Sequence, residues 1–474
     1  MTVFPDLAPL GLELSVLALA LLVFVADLLL PASEKRGLGS LTALGLGVIL
    51  VASCCGLSTQ GVTFSGTYVA DGVGLYLKQV LLVAGLLGAL GSIDHVDKHF
   101  PARQGEHYLL MLASLTGMLL LTGARDLLLW VVAFELAGIP LIVLAGLQKD
   151  KRGTEGALKL FLTTAASSAF TLYGFSILWG LSGSTAFVGM AAIGVGPLQS
   201  LALAMVLAGV AFKLGVVPFH LWMADTYEGA PTPTVAFLSV APKVAVFAGL
   251  IRFLLEGLLP LQAVWGGALV LLAAITLVQG NLSALAQTDS RRLLALSGVA
   301  HMGLMLMALA AGSAEAVGVL CFYALAYAFT NMGAFLVVSV VSESEGSADI
   351  GAYTGLATRA PALALAMLIF LLSLGGIPFV AGFWAKVLLL WAAWQGGLVV
   401  LVVLAVLLAV LALFYYLKIA RALYIAESDN ASVPTLGRAT ASAIGLCVAG
   451  VVVMGILPGP FLETAMSAAR ALGL

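Results

Sequence analysis

Apolar runs of about twenty residues recur along the whole chain, and no other feature restricts the possible folds as much. A helix of that length crosses a hydrocarbon layer about 30 Å thick. The 474-residue chain is 62% hydrophobic and only 9% charged, against about 25% charged residues in a soluble domain. We therefore predict an all-α polytopic membrane protein with about 14 transmembrane helices. The predicted spans lie near 8–31, 38–58, 74–92, 107–123, 126–147, 157–181, 197–219, 231–255, 260–282, 292–312, 315–341, 361–390, 396–424 and 439–458.

The loops between these spans differ in basic charge. Three basic residues flank the even-numbered loops or lie in the C-terminal tail: Arg125, Arg252 and Arg470. Thirteen lie at the odd-numbered loops: Lys35, Arg36, Lys98, Arg103, Lys149, Lys151, Arg152, Arg291, Arg292, Arg359, Lys418, Arg421 and Arg438. Basic loops stay in the cytoplasm, so both termini are expected on the periplasmic or outer side. The first run lacks a cleavable signal pattern, which favours a multi-pass protein of the bacterial inner membrane; an organelle-encoded subunit would also lack a presequence.

Two spans contain helix breakers beside a lysine. Pro218 follows Lys213 in span 7, and Gly376 and Pro378 precede Lys386 in span 12. Proline removes a helical hydrogen bond, and the freed backbone is tolerated only in protein or at a polar cavity. The breaks are five spans apart, which predicts two inverted five-helix repeats, spans 4–8 and 9–13. The expected domains are an N-terminal three-helix segment 1–106, the repeats 107–255 and 260–424, and a C-terminal helix 425–474.

Ionisable residues inside the apolar runs are the candidate functional groups. Each costs roughly 2.5–3.5 kcal/mol at mid-bilayer, so a chain that keeps several is expected to use them. They are Glu135, Lys78, Lys159, Lys213, Lys243 and Lys386. A buried lysine beside a carboxylate can load and release a proton near neutral pH. We therefore predict a proton path with Glu135 and Lys213 as a pair, continuing through Lys243 to Lys386.

Other side chains have competing interpretations. His301 is mid-span and His220 follows Pro218, so both are candidate proton carriers, although His220 also fits a hydrogen-bonded loop residue. Lys159 lies near a basic loop and is expected to snorkel in part, and Lys78 is read as a snorkelling anchor near a span end. Glu13 lies outside the repeats and is assigned to a contact with a neighbour. Polar groups that could hold water in such a path are Thr163, Thr164, Ser167, Ser168, Ser297, Tyr323, Tyr327 and Asn331.

The stretch FKLGVVPFHLWMADTYEGAPTPTVAFLSVAPKVAVF, residues 212–247, resembles the antiporter-like membrane subunits of respiratory complex I. Its DTYEGAPTP segment followed by Lys243 is similar to the subunit N type. Shorter pieces also match: AFELAGIPL (133–141), EGALKLFL (155–162), LSGVAHMG (296–303), FTNMGAF (329–335) and SLGGIPFVAGFWAK (373–386). The chain departs from the family pattern at Met223, Phe379 and Ala385, which alters local packing but leaves the ionisable set intact.

The resemblance implies fourteen helices with inverted repeats and a role for each matching residue. Glu135 and Lys213 would form the buried ion pair of a first half-channel, with Lys159 as an accessory lysine. Lys243 would connect the halves and Lys386 would accept or release protons in the second. His301 matches a mid-span family histidine.

The resemblance also implies a non-redox subunit of a proton-translocating NADH:quinone oxidoreductase. This chain would hold no cofactor and no metal, while partner subunits carry FMN, iron–sulfur clusters and quinone. The implied partners are the antiporter-like M subunit, small J-type and K-type subunits, the peripheral redox arm indirectly, and membrane lipid, with no nucleic acid. The alternative is a subunit of a multi-subunit cation/proton antiporter without redox chemistry. A structural scaffold ranks last, because too few intramembrane acids are present to pair the lysines.

Overall fold

The computed structural model describes residues 6–31, 34–57, 59–190, 193–426 and 432–472, and most of these are helical. The helices are α1 Gly11–Leu29, α2 Arg36–Cys54, α3 Gly72–His99, α4 Gln104–Gly123, α5 Leu127–Ala145, α6 Lys151–Ser182, α7 Phe187–Met190, α8 Pro197–Leu214, α9 Leu221–Gly229, α10 Thr232–Arg252, α11 Gln262–Leu285, α12 Ser290–Ala311, α13 Ala314–Glu345, α14 Leu356–Arg359, α15 Pro361–Gly375, α16 Ala381–Gln395, α17 Val399–Tyr424, α18 Arg438–Ile456 and α19 Pro458–Arg470. A two-stranded antiparallel hairpin, β1 Gly61–Thr63 and β2 Tyr68–Ala70, precedes α3.

The all-α membrane class is confirmed. Among the described residues, 12 helices are long and apolar enough to cross a membrane. The remaining two predicted spans correspond to α4, which has 20 residues, and to the interrupted pair α15 and α16. The count of about fourteen is therefore confirmed approximately. The domain boundaries stay a prediction.

Aspartate side chains start four of the long helices. Asp71, Asp126, Asp150 and Asp289 each accept hydrogen bonds from backbone N–H groups of the first turn that follows. These N–H groups have no partner within the helix, and a capping oxygen supplies one. The caps fix where α3, α5, α6 and α12 begin.

Both breaks use a glycine in the left-handed conformation. Helix α8 ends at Leu214, Gly215 has φ 69°, and α9 begins at Leu221. Helix α15 ends at Gly375, Gly376 has φ 83°, and α16 begins at Ala381. Glycine adopts this conformation without steric cost, so each helix stops and the chain turns inside the bundle.

Three helices form the centre of the bundle. The apolar window of α10 is wholly buried, and those of α12 and α13 are nearly so, whereas only 33% of the corresponding window is buried in α1, α6, α11 and α17. The exposed faces carry large apolar side chains such as Leu28 and Val400, which suit lipid or a neighbouring membrane subunit. Side chains on α10, α12 and α13 are therefore the ones most shielded from the surroundings.

Candidate functional site

The first break positions Lys213 in the last turn of α8. Its Nζ lies 4.4 Å from the centre of the Phe134 ring and packs over Gly138, where a Cβ would approach it to 2.2 Å. Among the described residues, Nζ has no hydrogen-bond partner. Glu135, on the same helix α5 as Phe134, accepts a hydrogen bond from Ser168 at 2.5 Å. The structure therefore brings Glu135 and Lys213 to neighbouring positions on α5 and α8 without closing the predicted ion pair.

A small cavity joins Lys213 to Lys243. Its volume is about 20 Å³, and both lysines line it together with Thr163, Thr164 and Trp222. One water needs about 10–15 Å³ of this kind of volume. Lys243 lies on α10 and is 2% exposed, and its Nζ also lacks a hydrogen-bond partner in the described part of the chain. The two lysines therefore line one space that is large enough for a single water.

Tyrosine side chains of α13 lie near Lys243 and His301. Gly298 on α12 leaves open a space in which a Cβ would lie 3.3 Å from Lys243 Nζ and 3.0 Å from the Tyr327 hydroxyl. The Tyr327 ring lies 5.2 Å from the His301 imidazole, centre to centre. His301 Nδ1 lies 2.5 Å from the Tyr323 hydroxyl. The Tyr327 side chain on α13 therefore lies between Lys243 and His301, but its hydroxyl has no hydrogen-bond partner among the described residues.

The second break holds Lys386. Its Nζ donates to the carbonyl oxygens of Leu374 at 2.6 Å and Gly375 at 3.2 Å, at the C-terminal end of α15. Lys386 as a whole is 9% exposed and lines a cavity of about 10 Å³ together with His301 and Tyr327. A helix C-terminus carries partial negative charge, and so it stabilises a cation. Lys386 is therefore held by main-chain carbonyl groups.

Neither Lys159 nor His220 is among the described residues that line the two cavities. Lys159 is 39% exposed and binds Glu155 and Asp225, each at 2.6 Å. Arg292 binds the other oxygen of Asp225 at 2.8 Å, so these charges tie α6, α9 and α12 together. His220 precedes α9, and its Nδ1 is buried without a hydrogen-bond partner among the described residues. The predicted partial snorkelling of Lys159 agrees with its exposure.

Two of the sequence interpretations are wrong. Lys78 does not snorkel: it is 1% exposed, and its Nζ lies 2.8 Å from Glu13 and 2.7 Å from the Tyr68 hydroxyl. Glu13 accepts a hydrogen bond from Tyr68 and therefore serves this chain rather than a neighbour. The signal available in the sequence was one acid and one lysine near the same membrane face, in spans 1 and 3. Their pairing depends on packing that the spacing of residues does not reveal.

Arg252 was counted as a loop charge but is 1% exposed. Its guanidinium donates to both oxygens of Asp71, at 2.5 and 2.6 Å, to Glu256 at 2.7 Å and to the Thr122 carbonyl at 2.7 Å. Burial raises the pKa of Asp71, but the hydrogen bonds from Arg252 outweigh burial and hold that pKa below its ordinary value. This network fastens the end of α10 to α3 and α4.

A bundle with two glycine-capped breaks, a lysine at each break, and a lysine and a histidine between them defines an antiporter-like membrane subunit. The family model described as NADH:quinone oxidoreductase/Mrp antiporter, transmembrane region, matches residues 124–412. A relative named NADH-quinone oxidoreductase subunit N, from Moorella thermoacetica, is 38% identical over 97% of this chain and 98% of its own length. The chain belongs to the NADH-quinone oxidoreductase subunit N family.

Solved structures agree with this assignment. A chain of respiratory complex I from Thermus thermophilus is 34% identical, with a TM-score of 0.83, over 95% of this chain and 98% of that one. A chain of the Mrp complex from Dietzia is 21% identical, with a TM-score of 0.85, over 98% of this chain and 96% of that one. At that lower identity, the Mrp likeness establishes the fold alone.

Proposed function

We propose that this chain is the N-type proton-translocating membrane subunit of an NADH:quinone oxidoreductase. The observation that carries the proposal is a row of four buried groups in two pairs: Lys213 and Lys243 line one small cavity, and His301 and Lys386 line another. Burying four ionisable groups in apolar surroundings costs free energy, and a proton path is one function that would require all four of them. Membership of the subunit N family supports the same assignment.

Each group in the row has a chemical role. A proton on Lys213 is attracted by the Glu135 carboxylate, and a water in the adjoining cavity can pass it to Lys243. The Tyr327 and Tyr323 hydroxyls can both donate and accept, so they can relay the proton to or from His301. Lys386 accepts or releases the proton, and the α15 carbonyl oxygens stabilise the charged form of this lysine. The row serves either direction of transfer.

The energy for these transfers would come from redox chemistry in other subunits. FMN, iron–sulfur clusters and quinone are assigned to those partners, and this chain acts as the non-redox translocase part. Its membrane neighbours would be an antiporter-like M subunit and small J-type and K-type subunits. The expected location is a bacterial inner membrane, and the basic odd-numbered loops favour an orientation with both termini on the periplasmic side. Lys159, with Asp225 and Arg292, would stabilise the first broken helix, and His220 would be a carrier at its edge.

The first test is gentle purification of the tagged chain from its native membrane, with optical and EPR spectra of what accompanies it. Flavin and iron–sulfur signals in stoichiometric amount are expected. A colourless assembly of hydrophobic subunits would contradict the redox-driven assignment. In an intact complex, Lys213→Ala should lower proton translocation far more than assembly, and normal translocation in that variant would remove Lys213 from the path.

A cation/proton antiporter subunit is the second candidate, because the Mrp chain from Dietzia shares the fold. Its identity of 21% is well below the 38% of the subunit N relative. Membrane vesicles distinguish the two. Sodium-dependent proton release without an electron donor would favour the antiporter, and proton movement that requires NADH would favour the first proposal.

A further inference from the structure

A histidine and carboxylate cluster lies at the ends of α3 and α13, apart from the proton row. It consists of His95, His99 and Glu343, and one ligand atom from each residue falls within 4.8 Å of the other two. His95 and His99 are one helical turn apart, a spacing that places two imidazoles on the same helix face. Two histidines and a glutamate are a donor set typical of zinc. We propose that this cluster is a binding site for a divalent transition-metal ion, with Zn²⁺ as its reference occupant.

The distances already approach those of a coordinated ion. His95 Nδ1 lies 3.6 Å from Glu343 Oε2, and His99 Nε2 lies 3.9 Å from Glu343 Oε1. Ligands about 2.0–2.1 Å from a tetrahedral zinc are roughly 3.4 Å apart. Both distances are close to that separation. The two imidazole rings are stacked, with 4.2 Å between their centres and 27° between their planes, so one ring must rotate before both lone pairs point to one ion.

Each histidine has a ring nitrogen that is available to bind a metal ion. His99 Nδ1 lies 3.1 Å from the His95 carbonyl oxygen, and an N–H at this position would donate to it. That leaves the lone pair on Nε2, the atom that faces Glu343. A metal-binding histidine is usually oriented by such a bond from its other nitrogen. Both ring nitrogens of His95 are buried without a hydrogen-bond partner among the described residues, a cost that a bound ion would remove.

The surroundings leave room for a further ligand. A cavity of about 180 Å³ adjoins the cluster and is lined by all three residues and also by Thr232 and Arg291. That volume accommodates several waters, so a solvent molecule can complete a four-coordinate ion. The C-terminal ends of α3 and α13 meet here, and their dipoles favour a cation.

Lys98 is the competitor for the site. Its ammonium lies 2.6 Å from Glu343 Oε1, the oxygen that also faces His99. Arg291 is a second nearby cation, but it contacts Asp289 at 3.3 Å. A metal ion would therefore compete with the Lys98 ammonium for Glu343 Oε1, and the ion would fasten α13 directly to α3.

The test is equilibrium Zn²⁺ binding to the full chain in lipid nanodiscs, measured by competition with a chromophoric chelator. Purification uses a tag without histidine, and serine replaces the exposed Cys54 and Cys55 in every protein. One bound Zn²⁺ per chain is expected. His99→Gln is a mild change because that side chain is 35% exposed, and it should weaken binding at least about tenfold.

Three further variants make the assignment specific. Glu343→Gln should weaken Zn²⁺ binding as His99→Gln does, whereas Lys98→Met should tighten it by removing the competing ammonium. The matched control is Glu106→Gln, which neutralises an exposed carboxylate in the first turn of α4 and should bind as the parent does. Equal affinity in the parent, His99→Gln and Glu343→Gln proteins would overturn the site, as would the absence of a bound ion in the parent. An unchanged affinity in Lys98→Met would overturn the competition. No outcome of this test depends on proton translocation. A failure of the metal site can therefore be distinguished from a failure of the proposed function.

Discussion

The two broken helices use the same backbone device but treat their lysines differently. Lys213 precedes its break, and the Gly215 N–H binds the carbonyl oxygens of Ala211 and Phe212. The Lys213 ammonium contacts the Phe134 ring and lies near the Glu135 carboxylate. Lys386 follows its break, so its ammonium reaches back to the open end of α15. The order of lysine and break along the chain decides whether the broken helix itself serves as the ligand.

This difference has a thermodynamic consequence. The carbonyl oxygens of Leu374 and Gly375 lie inside the bundle, and the Lys386 ammonium is the group that satisfies them. The Lys213 Nζ has no hydrogen-bond acceptor among the described residues, and burying an unpartnered polar group lowers the stability of the fold. The second site therefore contributes to stability through contacts that the first site lacks. The predictions below test this contrast, with proton translocation measured as NADH-driven acidification of inverted vesicles per assembled complex.

Replacing each lysine by methionine should give the largest effects. Both Lys213→Met and Lys386→Met should lower proton translocation at least about tenfold, because a proton-transfer group is lost. Only Lys386→Met should also destabilise the protein, by about 1–3 kcal/mol, since it strands buried carbonyl groups. Thermal unfolding of the two purified variants measures the difference. Equal stability losses would show that the carbonyl contacts do not distinguish the sites.

Gly138→Ala should disturb the first site without unfolding it. The new Cβ would lie 2.2 Å from Lys213 Nζ, and the flexible end of the lysine must move away. A displacement of about 1 Å can cost up to about a hundredfold in a transfer step, so we expect a loss of about tenfold in translocation. Gly180→Ala on α6 is the matched control, because nothing lies within 4 Å of its added Cβ. Identical translocation in the two variants would mean that Lys213 needs no fixed position.

Gly376→Ala tests the second site and should have a smaller effect on translocation. Gly376 has φ 83°, and a Cβ there would lie 2.8 Å from Lys386 Cδ. Gly397, with φ 78° and no atom within 4 Å of the added Cβ, isolates the backbone strain. Both alanine variants should lose about 1–2 kcal/mol of unfolding free energy from the left-handed conformation. Only Gly376→Ala should also slow translocation, and a matching loss in Gly397→Ala would assign the effect to strain.

The contrast between the sites also shows what a sequence can reveal. The apolar runs and the Gly–Pro breakers were enough to predict the helices and both interruptions, because lipid permits few backbone arrangements. The candidate residues of the row could be identified from the sequence, because ionisable side chains are costly to bury in apolar helices. The partner of each lysine did not follow, since Lys386 binds main-chain oxygens that every sequence possesses. The Glu13–Lys78 pair was missed for a related reason: its members come from different helices, and only packing brings them together.

The smallest predicted effects concern His301, which lies between the two sites. Tyr323 holds Nδ1 at 2.5 Å, whereas Tyr416 lies 3.3 Å from Nε2. A hydrogen bond contributes about 0.5–1.5 kcal/mol, so Tyr323→Phe should slow translocation by about fivefold. Tyr416→Phe removes a longer, weaker contact and should stay within about twofold.

Tyr76→Phe on α3 is the control for this pair, because it removes a buried hydroxyl that has no hydrogen-bond partner among the described residues. A larger loss in Tyr416→Phe than in Tyr323→Phe would reverse the proposed connection. His301 would then be held from α17, beside Lys386, and the link to Lys243 through α13 would no longer explain how the two broken helices exchange a proton.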